Sequence, residues 1–198
     1  NYQVLGFIFT PPDGISFELL GVSGDTVNRT PLGSLPPVLL GGLNNMGTVV
    51  GFMQEGEDPE STSTTAFARL ANGTIQDLPF LTQTDEIVLN IRDGGDPITV
   101  MTTHKSLAVG VNEAGHVVGT SAHEKDLDGF WPLDIRSFNR ATIWKSGVPE
   151  DLGTLYSTDP NTQELSTFLG NGTSEALAIN DDDTVVGVSL NSDFLFEA

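Results

Sequence analysis

The chain has 198 residues, carries 27 acidic against 8 basic side chains for a net charge of −19, and contains no cysteine. Without thiols there is no disulfide framework, thiolate nucleophile, zinc ribbon or iron–sulfur site, and the charge opposes binding to nucleic-acid phosphates or anionic membranes. No apolar run approaches the ~20 residues that cross a bilayer as a helix, while 38% apolar content with 11 phenylalanines predicts a soluble, folded, acidic protein rather than a disordered tail.

The chain opens on Asn1-Tyr2-Gln3-Val4, with neither an initiator methionine nor an apolar signal stretch, and reads as a mature or trimmed piece of a longer product. Its longest windows free of Gly, Pro, Asn and Asp, Glu60–Ala71 and Ile98–Val109, are rich in Thr, Val and Ser, which favour strands and turns over helix interiors. The apolar runs are short, β-branched and closed by turn residues, the pattern of an all-β protein with many short strands.

In chain order, an N-terminal strand is expected over Gln3–Ile8, then a hairpin built from Ser16–Val22 and the turn Ser23-Gly24-Asp25. The next hairpin, Gly42-Leu43-Asn44-Asn45-Met46-Gly47-Thr48-Val49-Val50-Gly51, returns as Gly110–Gly119 and again as Ala178–Gly187. Asn44, Asn112 and Asn180 stand at one constant interval of 68 residues, as do the closing Gly51, Gly119 and Gly187. A fixed period of this kind marks a repeat architecture. After the first copy come Ala66–Leu70, the turn Asn72-Gly73 and Ile75–Leu78; after the second come Ala141–Lys145, Ser146-Gly147 and Val148–Gly153. Each unit therefore reads as two hairpins, or four antiparallel strands. Glu86–Ile91 and Ile98–Thr102, joined by Asp93-Gly94-Gly95-Asp96, form an inserted hairpin, with Glu164–Thr173 as a shorter counterpart in the following unit. The third unit stops one strand into the pattern, at Phe194–Phe196.

The fold class that follows is all-β: three units of ~68 residues in a propeller-like array or a closed barrel or prism. The divisions are an N-terminal strand and hairpin (1–37), two full units (38–105 and 106–173) and a partial third (174–198). Because Gln3–Ile8 resembles Glu150–Leu155, the N-terminal strand is a candidate to complete the third unit by pairing with Phe194–Phe196, which would remove exposed edges.

The pattern Ala-x-x-Ile-Asn-x-x-Gly-x-Val-Val-Gly, followed by a strand of Ala-Phe-x-Trp type and by Gly-x-x-x-Asp-Leu-Gly-x-Leu, resembles the HAF family of bacterial extracellular repeats. Ser106–Gly119 and Arg140–Leu155 carry the resemblance best, Glu175–Gly187 matches its first half, and Arg69 and Leu70 depart from it where an aromatic residue is usual. The resemblance implies propeller-like units in a secreted or cell-surface protein. Three units are fewer than the ~4–8 blades of ordinary propellers, so closure as a barrel or prism, membership of a larger ring, or assembly between chains is expected.

Asn44, Asn112 and Asn180 are read as turn residues that bond their own backbone, and Gly47, Gly51, Gly115, Gly119 and Gly187 as structural turn residues of the same hairpins. For hard cations such as Ca2+, which take carboxylate and carbonyl oxygens from loops, the candidates are Asp126, Asp128 and Asp134 in one acidic loop and Asp181 and Asp183 in a hairpin turn. Glu55–Glu60 and Asp93–Asp96 are further acidic loops, and solvated turn acids are the plain alternative. Phe130 and Trp131 in the longest loop are the candidate ligand platform for a glycan or protein partner, whereas Trp144 alternates within a strand and is expected in the core. His104, His116 and His123 accompany no nucleophile-elbow or zinc motif, and His116, at the position of Thr48 and Thr184, is read as an ordinary strand residue. Asn28, Asn72 and Asn171 head glycosylation sequons.

No catalytic residue is assigned. The expected function is a non-enzymatic extracellular or cell-surface module for structure, self-assembly or adhesion, with other copies of itself, surface or matrix components or glycans as partners. A Ca2+- or carbohydrate-binding module and a hydrolase with its site at the ring centre are the alternatives.

Overall fold

The computed structural model describes residues 2–10, 14–23, 25–31, 38–55, 63–81, 86–89, 98–101, 105–126, 135–155, 173–190 and 196–197. Among them there is no helix, and every sheet is antiparallel. The N-terminal sheet joins β1 (Tyr2–Thr10), β2 (Gly14–Ser23) and β3 (Thr26–Pro31) in sequence order. Sheet I holds β4 (Val38–Leu43), β5 (Val49–Glu55), β6 (Ser63–Arg69) and β7 (Ile75–Asp77). A separate hairpin follows, β8 (Glu86–Leu89) with β9 (Ile98–Met101).

Sheet II holds β10 (Ser106–Val111), β11 (Val117–Asp126), β12 (Ile135–Lys145) and β13 (Val148–Asp151). Sheet III holds β14 (Ser174–Ile179), β15 (Val185–Leu190) and β16 (Phe196–Glu197). None of these sheets closes on itself, so the closed-barrel alternative is not the arrangement observed. Among the described residues β1 pairs along its whole length with β2, from Tyr2↔Val22 to Thr10↔Gly14, and no pairing joins it to β16. A partner a few residues away along the chain costs far less loop-closure entropy than one at the other end.

Sheets I, II and III share one internal plan. In each, the first hairpin carries a register shift at the same place, between Leu40 and Gly42, Ala108 and Gly110, and Ala176 and Ala178. Gly51, Gly119 and Gly187 lie inside β5, β11 and β15 opposite this bulge, not in turns. A Cβ on any of them would collide with the carbonyl oxygen of Leu39, Leu107 or Glu175, so close backbone approach, rather than a left-handed angle, accounts for these glycines. Gly47 and Gly115, with φ of 81° in the preceding turns, are the ones that supply the left-handed angle.

Strand alternation gives each sheet two faces, and successive sheets stack face to face. Val50, Ala66, Ala68 and Leu78 of sheet I enclose one core cluster with Ala108, Val117 and Trp144 of sheet II. Val118, Ala141 and Ile143 from the opposite face of sheet II form a second cluster with Ala176 of sheet III, flanked by Ile179 and Val185. Trp144, expected in the core, is 1% exposed, and its indole N–H donates to the Pro79 carbonyl at 2.7 Å. Serine hydroxyls peg the layers together. Ser106 Oγ accepts from Ala66 N–H at 2.8 Å and Ser174 Oγ from Ala141 N–H at 3.0 Å. Ser121 and Ser189 do the same for Leu81 and Leu155, at 3.0 and 2.8 Å. Each such bond contributes about 1 kcal/mol net and fixes one sheet's position on the next.

Candidate functional site

The turn asparagines are where the sheets meet most specifically. Each Oδ1 accepts from the backbone N–H four residues on, Thr48, His116 and Thr184 at 2.8–2.9 Å, as turn chemistry requires. The carboxamide nitrogen does something the sequence reading missed. Asn44 Nδ2 donates to the backbone oxygen of Asn112 at 2.8 Å, and Asn112 Nδ2 donates to that of Asn180 at 3.1 Å.

The next residue in each turn adds a second rail. Asn45 N–H and Nδ2 both donate to Glu113 Oε1, at 2.9 and 2.6 Å, and Glu113 N–H donates to Asp181 Oδ1 at 2.9 Å. A legible signal for this rail was present: position 45, 113 and 181 is Asn, Glu and Asp, always able to accept a backbone hydrogen bond across the interface.

Between sheets II and III the pattern gains a polar cluster. Asp183 takes the place of Gly47 and Gly115 and adopts the left-handed angle they use, φ 61°. Its Oδ1 accepts from Asn112 Nδ2 and pairs with His116 Nδ1, both at 2.7 Å, while Oδ2 lies 3.9 Å from Lys145 Nζ. The hydrogen bond from His116 chiefly holds the Asp183 carboxyl below its ordinary value, aided by Asn112 and the charges of His116 and Lys145 and opposed by partial desolvation. His116 is therefore not an ordinary strand residue: it sits in the turn before β11 and faces the neighbouring sheet.

Of the candidate cation ligands, Asp181 and Asp183 direct carboxylate oxygens to sheet II. Asp126 ends β11 with its side chain outside the described residues; Asp128, Asp134, Phe130 and Trp131 lie wholly outside them, as do Asp93–Asp96, Glu57, Asp58, Glu60 and His104. Among the described residues no group of three or more His, Asp or Glu side chains converges on a common point. Of the sequon residues, Asn28 lies in β3, Asn72 spends Oδ1 on Thr74 N–H at 2.9 Å, and Asn171 is outside the described residues.

The stack's far side is different. Val50 and Val118 are fully buried, but their counterpart Val186 is 58% exposed. Asn44 and Asn112 are buried, but Asn180 is exposed, and Leu177 in β14 is 54% exposed. The face of sheet III that in sheets I and II is covered by the following sheet is open to solvent. No family model, curated protein or solved structure matches the chain.

Proposed function

We propose that the chain is a non-enzymatic structural module of the cell surface or extracellular space, which assembles through the faces of stacked, propeller-like repeat units. One observation carries the reading. The outer face of sheet III has the valine and the turn asparagine that bury themselves in sheets I and II, yet leaves both exposed. Exposed apolar side chains together with a turn asparagine whose carboxamide nitrogen has no partner among the described residues have the character of an interaction surface. The charge of −19 supports solubility and resists indiscriminate association while leaving such a face free to be specific. The resemblance of the Asn-x-x-Gly-x-Val-Val-Gly units to extracellular repeats supports the location.

Light scattering on size-exclusion fractions, with negative-stain images of the same fractions, tests the reading. Species larger than one chain of 21.0 kDa are expected, and Val186→Lys should return them to monomer. A monomer at every concentration, or assemblies indifferent to Val186→Lys, would overturn it.

A further inference from the structure

The hairpin tip between β6 and β7 carries a chemically reactive pair, Asn72-Gly73, in a stretch that is exposed from Leu70 to Asp77. In such a pair the glycine's backbone nitrogen can attack the asparagine side-chain carbonyl, because glycine has no Cβ to obstruct the approach; asparagines of this kind are thermolabile. Two features of the turn act on that reaction in opposite directions. Asn72 Oδ1 accepts from Thr74 N–H at 2.9 Å, which polarises the carbonyl and sets a donor where negative charge develops during attack. The nucleophile is tied down instead: Gly73 N–H donates to the Leu70 oxygen at 2.9 Å, inside a turn closed by Leu70 N–H on the Thr74 oxygen at 2.9 Å. The closed turn activates the electrophile and withholds the nucleophile.

The strand that leaves this turn leads directly to the residues that grip sheet II. β7 is three residues long and exposed throughout, paired at Arg69↔Ile75, Ala68↔Gln76 and Phe67↔Asp77. Short, solvated pairings of this kind open locally at low free energy. Just beyond it, Leu78 enters the core cluster with Val117 and Trp144. The Pro79 oxygen then accepts from the Trp144 indole, and Leu81 N–H donates to Ser121 Oγ. The corresponding turn of sheet II holds Ser146-Gly147, with no carboxamide.

We propose that Asn72 is a site of spontaneous deamidation, gated by the opening of β7, and that its isoaspartyl product loosens the contact between sheets I and II. The inference does not rest on assembly through sheet III. When the turn opens, Gly73 N gives its proton to solvent base and bonds to Asn72 Cγ. The Cγ–Nδ2 bond breaks and ammonia leaves with a proton from water, which closes a succinimide ring. Water then opens the ring at one of its two carbonyls. Attack at Cγ returns the main chain and gives aspartate; attack at the backbone carbonyl routes the chain through Cγ and gives isoaspartate. The net change is water consumed and ammonia released, with one more negative charge on a chain at −19. Aspartate keeps an acceptor for Thr74 N–H. Isoaspartate inserts a methylene into the main chain, so β7 no longer returns to its register and the grip of Leu78–Leu81 weakens.

The test incubates the full chain in mildly alkaline buffer and follows Asn72 by peptide mapping, with isoaspartate recognised from its backbone fragmentation. Mapping separates this site from Asn171-Gly172, which lies outside the described residues. The reference is the capped peptide Leu-Ala-Asn-Gly-Thr-Ile, residues 70–75. Asn72 should react about tenfold to a hundredfold more slowly in the folded chain than in the peptide. Ile75→Gly weakens β7 from its exposed side without touching the reacting pair, and should speed the folded chain's reaction about two- to fivefold. The aged parent should unfold at lower urea than the fresh parent. Asn72→Gln aged in parallel should keep its midpoint, and fresh Asn72→Asp should match the fresh parent. Reaction as fast as in the peptide, no conversion after the peptide has passed about a hundred half-lives, or equal rates for Ile75→Gly and the parent would each overturn the inference. So would an unchanged urea midpoint once isoaspartate has formed at position 72, or an equal loss in aged Asn72→Gln.

Discussion

His116 Nδ1 lies 2.7 Å from Asp183 Oδ1, across the contact between sheets II and III. Neither residue fits the pattern of its own hairpin: the equivalents of His116 are Thr48 and Thr184, and those of Asp183 are Gly47 and Gly115. Lys145, near the same carboxylate, stands where sheet I has Leu70. Three departures from the repeat thus converge on one point, which makes them complementary rather than degenerate.

This cluster gives the contact an acid limb. Because the folded state holds the Asp183 carboxyl below its ordinary value, the stabilisation is complete above the unfolded carboxyl's value, about 4, and is lost as pH falls through the lower folded value. Asp183→Gly supplies the residue of the other two turns and relieves the left-handed angle, so it removes mainly the carboxylate. In urea unfolding, the stability gap between the parent and Asp183→Gly should shrink below about pH 4. A gap unchanged at pH 2 would take the carboxylate out of the account.

The asparagine rail predicts unequal costs for identical substitutions. Asn112→Ala removes a buried carboxamide that bonds His116 N–H, the Asn180 oxygen and Asp183, and should destabilise by about 2–3 kcal/mol. Asn180→Ala removes only turn bonds from an exposed residue and should cost about 1 kcal/mol. Equal losses in chemical denaturation would contradict a ladder that runs between sheets.

Glycines of the same hairpin separate in the same way, for another reason. Gly115→Ala meets no neighbouring atom but keeps φ at 81°, a cost of about 1–2 kcal/mol. Gly119→Ala drives a methyl group into the Leu107 carbonyl at the bulge, where backbone must move, and should cost about 3 kcal/mol. Thermal unfolding of the two variants should therefore rank Gly119→Ala as the less stable.

The hairpins were legible because turn chemistry is local. Asn at the first position and Gly at the fourth dictate the turn, and the Val-Val pair after it alternates between two faces whatever lies beyond. Trp144 could be assigned to the core on the same alternation. What one strand's sequence does not encode is which surface its face meets. The second hydrogen bond of each asparagine depends on a chain segment 68 residues away, and Gly51 and Gly119 were attributed to turns because glycine answers to sterics as well as to φ. His116 was misread by analogy with threonine, although its partner, an acid in place of glycine, stood in plain sight in the third hairpin. Among the described residues the N-terminal strand pairs with β2, its neighbour in the chain, a pairing that the likeness of Gln3–Ile8 to Glu150–Leu155 did not suggest.

Trp144 is the largest side chain in the contact between sheets I and II. Its indole is 1% exposed and bonded to Pro79, so Trp144→Ala should lose about 3–5 kcal/mol through the cavity it leaves. Trp144→Phe retains much of the contact area but strands the carbonyl, and should lose about 1–2 kcal/mol. The two variants, compared by urea denaturation, separate filling from hydrogen bonding. If Trp144→Ala cost less than about 1 kcal/mol, far below the range for a buried aromatic, the indole would not be what seals the first interface.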